Sequence, residues 1–539
     1  MNASAHNAVW CLVVASVAVL VYLPSVDSGF AWDDVRDVQD NEAVHGTEGL
    51  LSNLVKPYRT DVPAIRSPYR PITSIGFAIS WQIGGGSPRV FHAVNVILHA
   101  LATVLVFVLL LRFGFERIAA VLGAGLFAVH PVHTEAVANV VGRADVLMTI
   151  FVLVGVLAYL NRGFPTSVRA LAVWSAFALA LLTKENGIAL PALVVAVEVF
   201  GRGTLVDERS LRERLRAQAG IYIGLVVVVA GYLVLRYWVI GTLAQLDTAA
   251  YVMALTPGER LSTAVANIGE VLRLLLFPAV LAADYGPAVI MPAGTGDARF
   301  WLGLLLGIGP VALAFLTRRR FPWLGLGTAW AVLSFLVVSN LLFPVGIWLA
   351  ERTLYLPSVG VSIVVAGGLT ALARLGDRKR TRVAWSLILV AIAAGSWKSW
   401  TRNPVWFDSE SVVRNLLDEH PESYRAQWWL AGQLIDASRL EEGLRWYRSA
   451  VQLNPNQALV VLDFARALIL AGDFEDAERR LRPIPPGLHP SRSVYLAQSL
   501  IEQGLPDEAR DVVEEGLRLF PGDTRLQDQA RQLGAEGWE

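Results

Sequence analysis

The sequence predicts an all-α protein in two parts: a polytopic membrane helix bundle over residues 1–403 and a helical-repeat solenoid over 404–539. Three observations lead there. Of 539 residues, 54% are hydrophobic and only 17% charged, whereas soluble domains carry about 25% charge. Apolar stretches close to the roughly 20 residues that cross a bilayer recur up to Trp400. Beyond Trp400 the chain turns charged and amphipathic, and small residues return at Ala431, Ala465 and Ala497, spaced by 34 and 32 positions.

Lys and Arg together number 46, as do Asp and Glu, so the formal net charge is zero and no basic footprint for nucleic acid exists. Only Lys56, Lys184, Lys379 and Lys398 are lysines, an arginine bias that points to a GC-rich bacterial source. The single cysteine, Cys11, lies in the first apolar run and has no partner for an intrachain disulfide. No Lys/Arg-rich region precedes that run and no small-x-small cleavage site follows it, which predicts an uncleaved first spanning helix.

About eleven spanning helices are expected, centred near Val17, Val104, Leu122, Leu153, Ala178, Val194, Val227, Leu306, Leu333, Val364 and Leu389. Alternate connections hold Arg112/Arg117, Arg162/Arg169, Arg202/Arg209/Arg212/Arg214/Arg216, Arg318–Arg320, and Arg374/Arg378/Lys379/Arg380/Arg382. The positive-inside rule makes that side cytoplasmic, with the N-terminus inside and the C-terminal tail outside.

The opposite turns carry Asp33-Asp34, His130-Pro-Val-His-Thr-Glu135, Thr183-Lys-Glu-Asn186, Asp284-Tyr285 and Glu351-Arg352-Thr-Leu-Tyr355. Charge is costly at the middle of a span, so such groups belong at an interface or in a wet cavity. Their convergence on one side predicts a single outward-facing site. Each also has a structural alternative: Lys184-Glu185 as a helix-turn ion pair, Arg143 and Asp145 as mutual compensation, Glu351-Arg352 as a helix-start pair. His130 and His133 read as interfacial anchors or a metal pair on one helix face. The outer segment Asp27–Arg70 is too long for a simple turn. Ile72–Ile83 after it suits an interfacial helix more than a span.

In the tail, Gly443, Ala477 and Ala509 each follow the first small residue by twelve positions, and Pro455 and Pro521 close the first and third units. This period is the tetratricopeptide signature, with about three repeats. Arg482-Pro-Ile-Pro-Pro-Gly487 must stop the second helix of the second unit early. A concave face of this kind suits an extended peptide, with a plain scaffold as the alternative.

Taken together, Phe30-Ala-Trp-Asp-Asp34, Tyr69-Arg-Pro-Ile-Thr73, Phe91-His-Ala-Val-Asn-Val-Ile-Leu-His99, His130-Pro-Val-His-Thr-Glu135, Gly142-Arg-Ala-Asp145, Lys184-Glu-Asn-Gly187 and Glu351-Arg-Thr-Leu-Tyr-Leu-Pro-Ser358 carry a resemblance. The chain resembles the transmembrane and tetratricopeptide repeat-containing protein O-mannosyltransferases and their bacterial relatives. Thr353 stands where an aromatic is expected.

The resemblance implies a GT-C glycosyltransferase fold. It implies transfer of a sugar, mannose being expected, from a polyprenyl-phosphate carrier to Ser/Thr of a protein acceptor at the outer face, here of a bacterial inner membrane. It makes Asp33 the base, with Asp34 positioning it, touching the acceptor or holding a divalent cation. The alternative for the pair is a cap on a loop helix. Donor-phosphate and substrate contacts are expected from Arg70, His130, His133, Glu135, Arg143, Asp145, Lys184, Glu185, Glu351, Arg352 and Tyr355. A divalent cation is the one candidate cofactor, the lipid-linked sugar being a substrate; membrane lipids are partners and nucleic acid is not. The rival classes are a non-catalytic membrane scaffold displaying the repeats and an enzyme of the same fold acting on a lipid or glycan. A transporter fits less well, because the charges gather on one side rather than at mid-membrane.

Overall fold

The computed structural model of the chain describes every residue except 1–2, 46–48, 60–63, 65–66, 202–208, 244–251, 253–254, 287–288 and 535–539. Arg202, one of the arginines counted above, lies outside the described residues. The described residues are helical with no strand, and they form two compact units, one of residues 1–285 with 290–412 and one of 413–539 with 286–289.

The first unit contains sixteen described α-helices. They are α1 (Ala3–Tyr22), α2 (Pro71–Gly84), α3 (Pro88–Arg112), α4 (Arg117–Ala128), α5 (Thr134–Val137), α6 (Arg143–Leu160), α7 (Thr166–Thr183) and α8 (Leu190–Phe200). There follow α9 (Leu211–Ala217), α10 (Ala219–Ile240), α11 (Pro257–Ala266), α12 (Ile268–Leu276), α13 (Ala298–Thr317), α14 (Pro322–Leu336), α15 (Tyr355–Arg374) and α16 (Arg378–Arg402).

All eleven expected centres fall inside helices of this set. Among the described residues, eight stretches are long and apolar enough to cross a membrane, or nine if α4 and α5 count as one span bent by 47°. The bend has a local cause. Pro131 disfavours helical backbone at His130, which sits at ψ 122°, so the chain breaks there and restarts as a turn. The expected stretches at Val194 and Leu333 are shorter helices: α8 follows a 3-10 turn over Glu185–Ala189, and α14 ends at Leu336. α2, over the expected interfacial stretch, has fourteen residues and stops where Gly85 takes a left-handed φ of 57°.

Lipid tails are as apolar as leucine, so helices in a bilayer associate through close packing and polar contacts. Gly327 of α14 and Gly360 of α15 meet backbone to backbone; a Cβ on Gly327 would stand 2.6 Å from the Gly360 carbonyl oxygen. Phe107, Phe127 and Phe177 fill the centre of the bundle without exposure. Ion pairs and charged hydrogen bonds tie the helix ends at the loops. At one end Lys184 meets Asp145; at the other, Arg374 donates to the Gly114 carbonyl and Arg214 and Arg162 approach Glu198.

α17 (Ser409–Glu419) begins in the first unit and runs into the second, which stacks helical hairpins: α18 (Tyr424–Asp436) with α19 (Leu440–Leu453), α20 (Ala458–Leu470) with α21 (Phe474–Leu481), and α22 (Pro490–Glu502) with α23 (Pro506–Leu519). α24 (Thr524–Gln532) closes the stack. Ala431, Ala465, Ala497, Ala477 and Ala509 are all fully buried where the helices of each hairpin cross. Gly443 packs against Ile435, leaving no room for a side chain. α21 stops at Leu481, before Arg482-Pro483, as the proline requires.

Candidate active site

α1 ends in a 3-10 turn over Leu23–Asp27, started by Pro24, which delivers the Phe30–Asp34 stretch. That stretch is pinned by its backbone. Gly29 N–H donates to Phe407 O at 2.8 Å, Trp32 N–H to Ser409 Oγ at 2.8 Å, and Asp34 N–H to Ala31 O at 3.0 Å. Trp32 holds a left-handed φ of 55°, rare for a bulky residue. Val35–Gln39 continues as a single π turn.

The two carboxylates have opposite surroundings. Asp34 has no exposure, and its oxygens accept from Val141 N–H at 2.8 Å, Val140 N–H at 3.2 Å and Ala31 N–H at 3.3 Å. It caps the turn that precedes α6, where Gly142 is required because a Cβ would stand 2.5 Å from the Ala136 carbonyl oxygen. Burial pushes the Asp34 carboxyl up to about 7, against the pull of those three N–H groups; the neighbouring charge of Asp33 adds only a minor push. The Asp33 side chain is 25% exposed and lies 3.6 Å from Arg352 Nη2. Arg36 reaches it at 3.8 Å.

From Asp33 the polar residues form a connected set. Arg352 binds Glu135 through Nη1 at 2.5 Å and through its own backbone N–H at 2.8 Å. Lys184 holds Asp145 at 2.6 Å, so Asp145 pairs with Lys184 and not with its near neighbour Arg143. Burial pulls the Lys184 ammonium below its ordinary value, and Asp145 resists that pull. Glu185 accepts from Arg70 at 3.0 and 3.1 Å and from Arg236 at 3.3 Å. Lys184 feels the charges of both Arg70 and Arg352, which places the two halves of the set within electrostatic reach. Four side chains in this set remain open to a ligand: Asp33 (25%), Arg352 (22%), Arg70 (21%) and Glu185 (27%). Glu135, Asp145 and Lys184 lie beneath them.

Five expected contact residues are instead enclosed by protein. Arg143, 1% exposed, donates to Asn95 Oδ1, Gly76 O, Ser80 Oγ and Phe91 O at 2.7–2.9 Å and lies over the rings of Phe77 and Phe91. Its fork is spent on tying α2, α3 and α6 together. Glu351 accepts from Ala282 N–H at 2.7 Å and Tyr285 OH at 3.0 Å. His130 Nε2 bonds the Leu275 carbonyl at 3.0 Å and His133 Nε2 meets Ser358 Oγ at 2.8 Å. Tyr355 OH lies 2.7 Å from His99 Nδ1. Each of these groups ties its own segment to a distant part of the chain.

Several contributors escaped the sequence reading. Arg236 is a lone charge in the 22-residue apolar helix α10, and a charge in such a place is itself a signal of function. Asn95 donates to the carbonyls of Val137, Asn139 and Val140 and accepts from Arg143, holding the turn that Asp34 caps. Asp37 takes a two-point contact from Arg59 at 2.8 and 3.3 Å.

Among the described residues no group of three or more His, Cys, Asp and Glu is arranged to hold a metal. The Asp34 oxygens face three N–H donors, surroundings that suit an anion and not a cation. An apolar cavity of about 860 Å³ opens between α8, α10 and α14, lined among others by Ile188, Val195, Phe200, Val226, Leu233 and Leu333. Its lining begins at Ile188, close after Glu185, and reaches Leu233, one turn before Arg236.

Tetratricopeptide repeat models match residues 408–458 and 434–495. The human protein O-mannosyl-transferase TMTC4 is 30% identical over 490 residues, which cover 81% of this chain and 65% of that protein. Mouse TMTC3 is 26% identical over 547 residues, covering 92% of this chain and 55% of its own, and human TMTC1 is 27% identical over 503, covering 83% and 55%. The chain thus spans 65% or less of the length of each of these relatives.

Proposed function

From a chain whose homologues are the TMTC-family protein O-mannosyl-transferases, we propose a membrane glycosyltransferase that moves a sugar, mannose, from a polyprenyl-phosphate donor to a Ser/Thr hydroxyl of a protein. The observation that carries this reading is Arg352, which brings together three motifs far apart in sequence: it binds Glu135 at 2.5 Å and lies 3.6 Å from Asp33.

In the proposed reaction the acceptor oxygen attacks the anomeric carbon as the bond from that carbon to the phosphate oxygen breaks, inverting its configuration. Asp33 takes the hydroxyl proton, which needs an open carboxylate within hydrogen-bond reach. The phosphate leaves with the bonding electrons and is met by Arg352 and Arg70, held in place by Glu135 and Glu185. Fixed positive charge in a partly dry site stabilises such a leaving group without reorganisation. Lys184 and Arg236 add charge from below. The apolar cavity beside Glu185 and Arg236 accommodates the carrier's prenyl tail, and the repeats receive the polypeptide acceptor. The arginine distribution supports a site and repeat unit on the outer face of a bacterial inner membrane.

The test is transfer from polyprenyl-phosphate mannose to a Ser/Thr peptide by purified Asp33→Asn and Asp34→Asn proteins. Asp33→Asn is expected to lower turnover by at least about a hundredfold, the scale of general-base catalysis. Full turnover in Asp33→Asn removes the base assignment. An exported glycoproteome unchanged by loss of the gene would favour the scaffold role of the repeats or a lipid or glycan acceptor.

A further inference from the structure

The segment that leads from α16 into the repeats also holds the loop bearing Asp33. Asn403 Nδ2 donates to Val21 O at 2.8 Å, Phe407 O accepts from Gly29 N–H at 2.8 Å, and Ser409 Oγ accepts from Trp32 N–H at 2.8 Å. The three bonds track the chain from the end of α1 to the residue before Asp33. The last falls on the backbone of Trp32, whose φ of 55° is a conformation that an L side chain rarely keeps without outside support. Trp32 determines where the next Cα places its carboxylate, so a bond that holds Trp32 left-handed also aims Asp33 at Arg352.

We propose that Ser409 is a positioning residue for the Asp33 carboxylate, so that the segment following α16 sets the geometry of the candidate base. This rests on Asp33 being the base. A stitch with no such role would lower the yield of folded protein and leave turnover per folded molecule unchanged.

The experiment compares Ser409→Ala, Ser409→Thr, Trp32→Gly and Trp32→Gly/Ser409→Ala with the parent protein, all full length and normalised to folded protein. The probes are polyprenyl-phosphate mannose and a Ser/Thr peptide. Ser409→Ala is expected to lower kcat roughly tenfold with both KM values kept, the scale expected when one strained backbone residue is released. Ser409→Thr, which keeps the hydroxyl, restores kcat. Glycine tolerates a positive φ, so in the Trp32→Gly background the added Ser409→Ala change should cost less than about threefold, a coupling that a double-mutant cycle reads directly. Equal kcat for Ser409→Ala and parent overturns the proposal, as does equal impairment of the alanine and threonine variants. Asp33→Asn, run alongside, separates the failures. If it stays active the base assignment falls; if it is inactive while Ser409→Ala turns over normally, only the role of Ser409 falls.

Discussion

Asp33 and Asp34 adjoin in sequence, yet one is a quarter exposed beside Arg352 and the other is sealed under three backbone N–H groups. Asp34→Asn keeps the shape but turns an amide NH2 toward donors, and it should destabilise the protein by about 1–3 kcal/mol, read by thermal unfolding in detergent. The sign of the pH effect follows from the raised carboxyl. With a folded value of about 7 against an ordinary 3.8, the folded chain holds the Asp34 proton more tightly. The stability linked to this group is therefore full below pH 3.8 and lost as pH rises through about 7. Melting temperatures across that window should fall with pH in the parent and less steeply in Asp34→Asn. Arg143 teaches a related lesson: its charge looked fit for a phosphate, but its donors are committed to Asn95, Gly76, Ser80 and Phe91. Arg143→Met should cost at least about 1–3 kcal/mol by orphaning those neutral acceptors, lowering folded yield, while the molecules that do fold keep their donor KM. A large rise in donor KM would return Arg143 to the substrate site.

At the scale of elements, α3 presents His92, Asn95 and His99 on one buried face, at i, i+3 and i+7. That face holds the Gly29 carbonyl, the turn capped by Asp34, and Tyr355. The Phe91–His99 motif thus acts as a clamp between loops. α10 contributes differently, carrying Arg236 through an apolar helix to Glu185. Arg236→Gln should raise the KM for polyprenyl-phosphate mannose roughly tenfold, the worth of one charge-assisted hydrogen bond, and leave the KM for the peptide unchanged. An unchanged donor KM would make Arg236 a strut for Glu185 alone. The α14–α15 crossing depends on Gly327 and Gly360. Gly327→Val forces those backbones apart and should cost about 1–3 kcal/mol, seen as a lower melting temperature.

For the whole molecule, the arginine pattern makes a topology that can be labelled. In a Cys11→Ser background, cysteine at exposed Asp40 should react with a membrane-impermeant thiol reagent added to intact cells, and cysteine at exposed Arg319 only after the membrane is opened. The reverse pattern would invert the proposed site. Much of the architecture was legible in the chain because its causes are local. Apolar length marks helices, proline at 131 and 483 marks where they break, and small residues recurring at 34 and 32 positions mark where Ala431, Ala465 and Ala497 pack. The motifs that meet around Arg352 could also be read, since polar groups in an apolar chain have few reasons to be there. What could not be read was their division of labour. Burial and partnership are decided by residues far away: Asp34 meets Val141 across 107 positions, Arg352 meets Glu135 across 217, and Trp32 meets Ser409 across 377. Composition and period act at short range, and they suffice for a membrane helix bundle with a repeat tail and polar turns gathered on one side. That Asp33 keeps an exposed face, that Asp34 and Arg143 are sealed in, and that Arg236 reaches Glu185 is settled by the folded chain alone, because desolvation and hydrogen-bond satisfaction exist only once distant helices have packed.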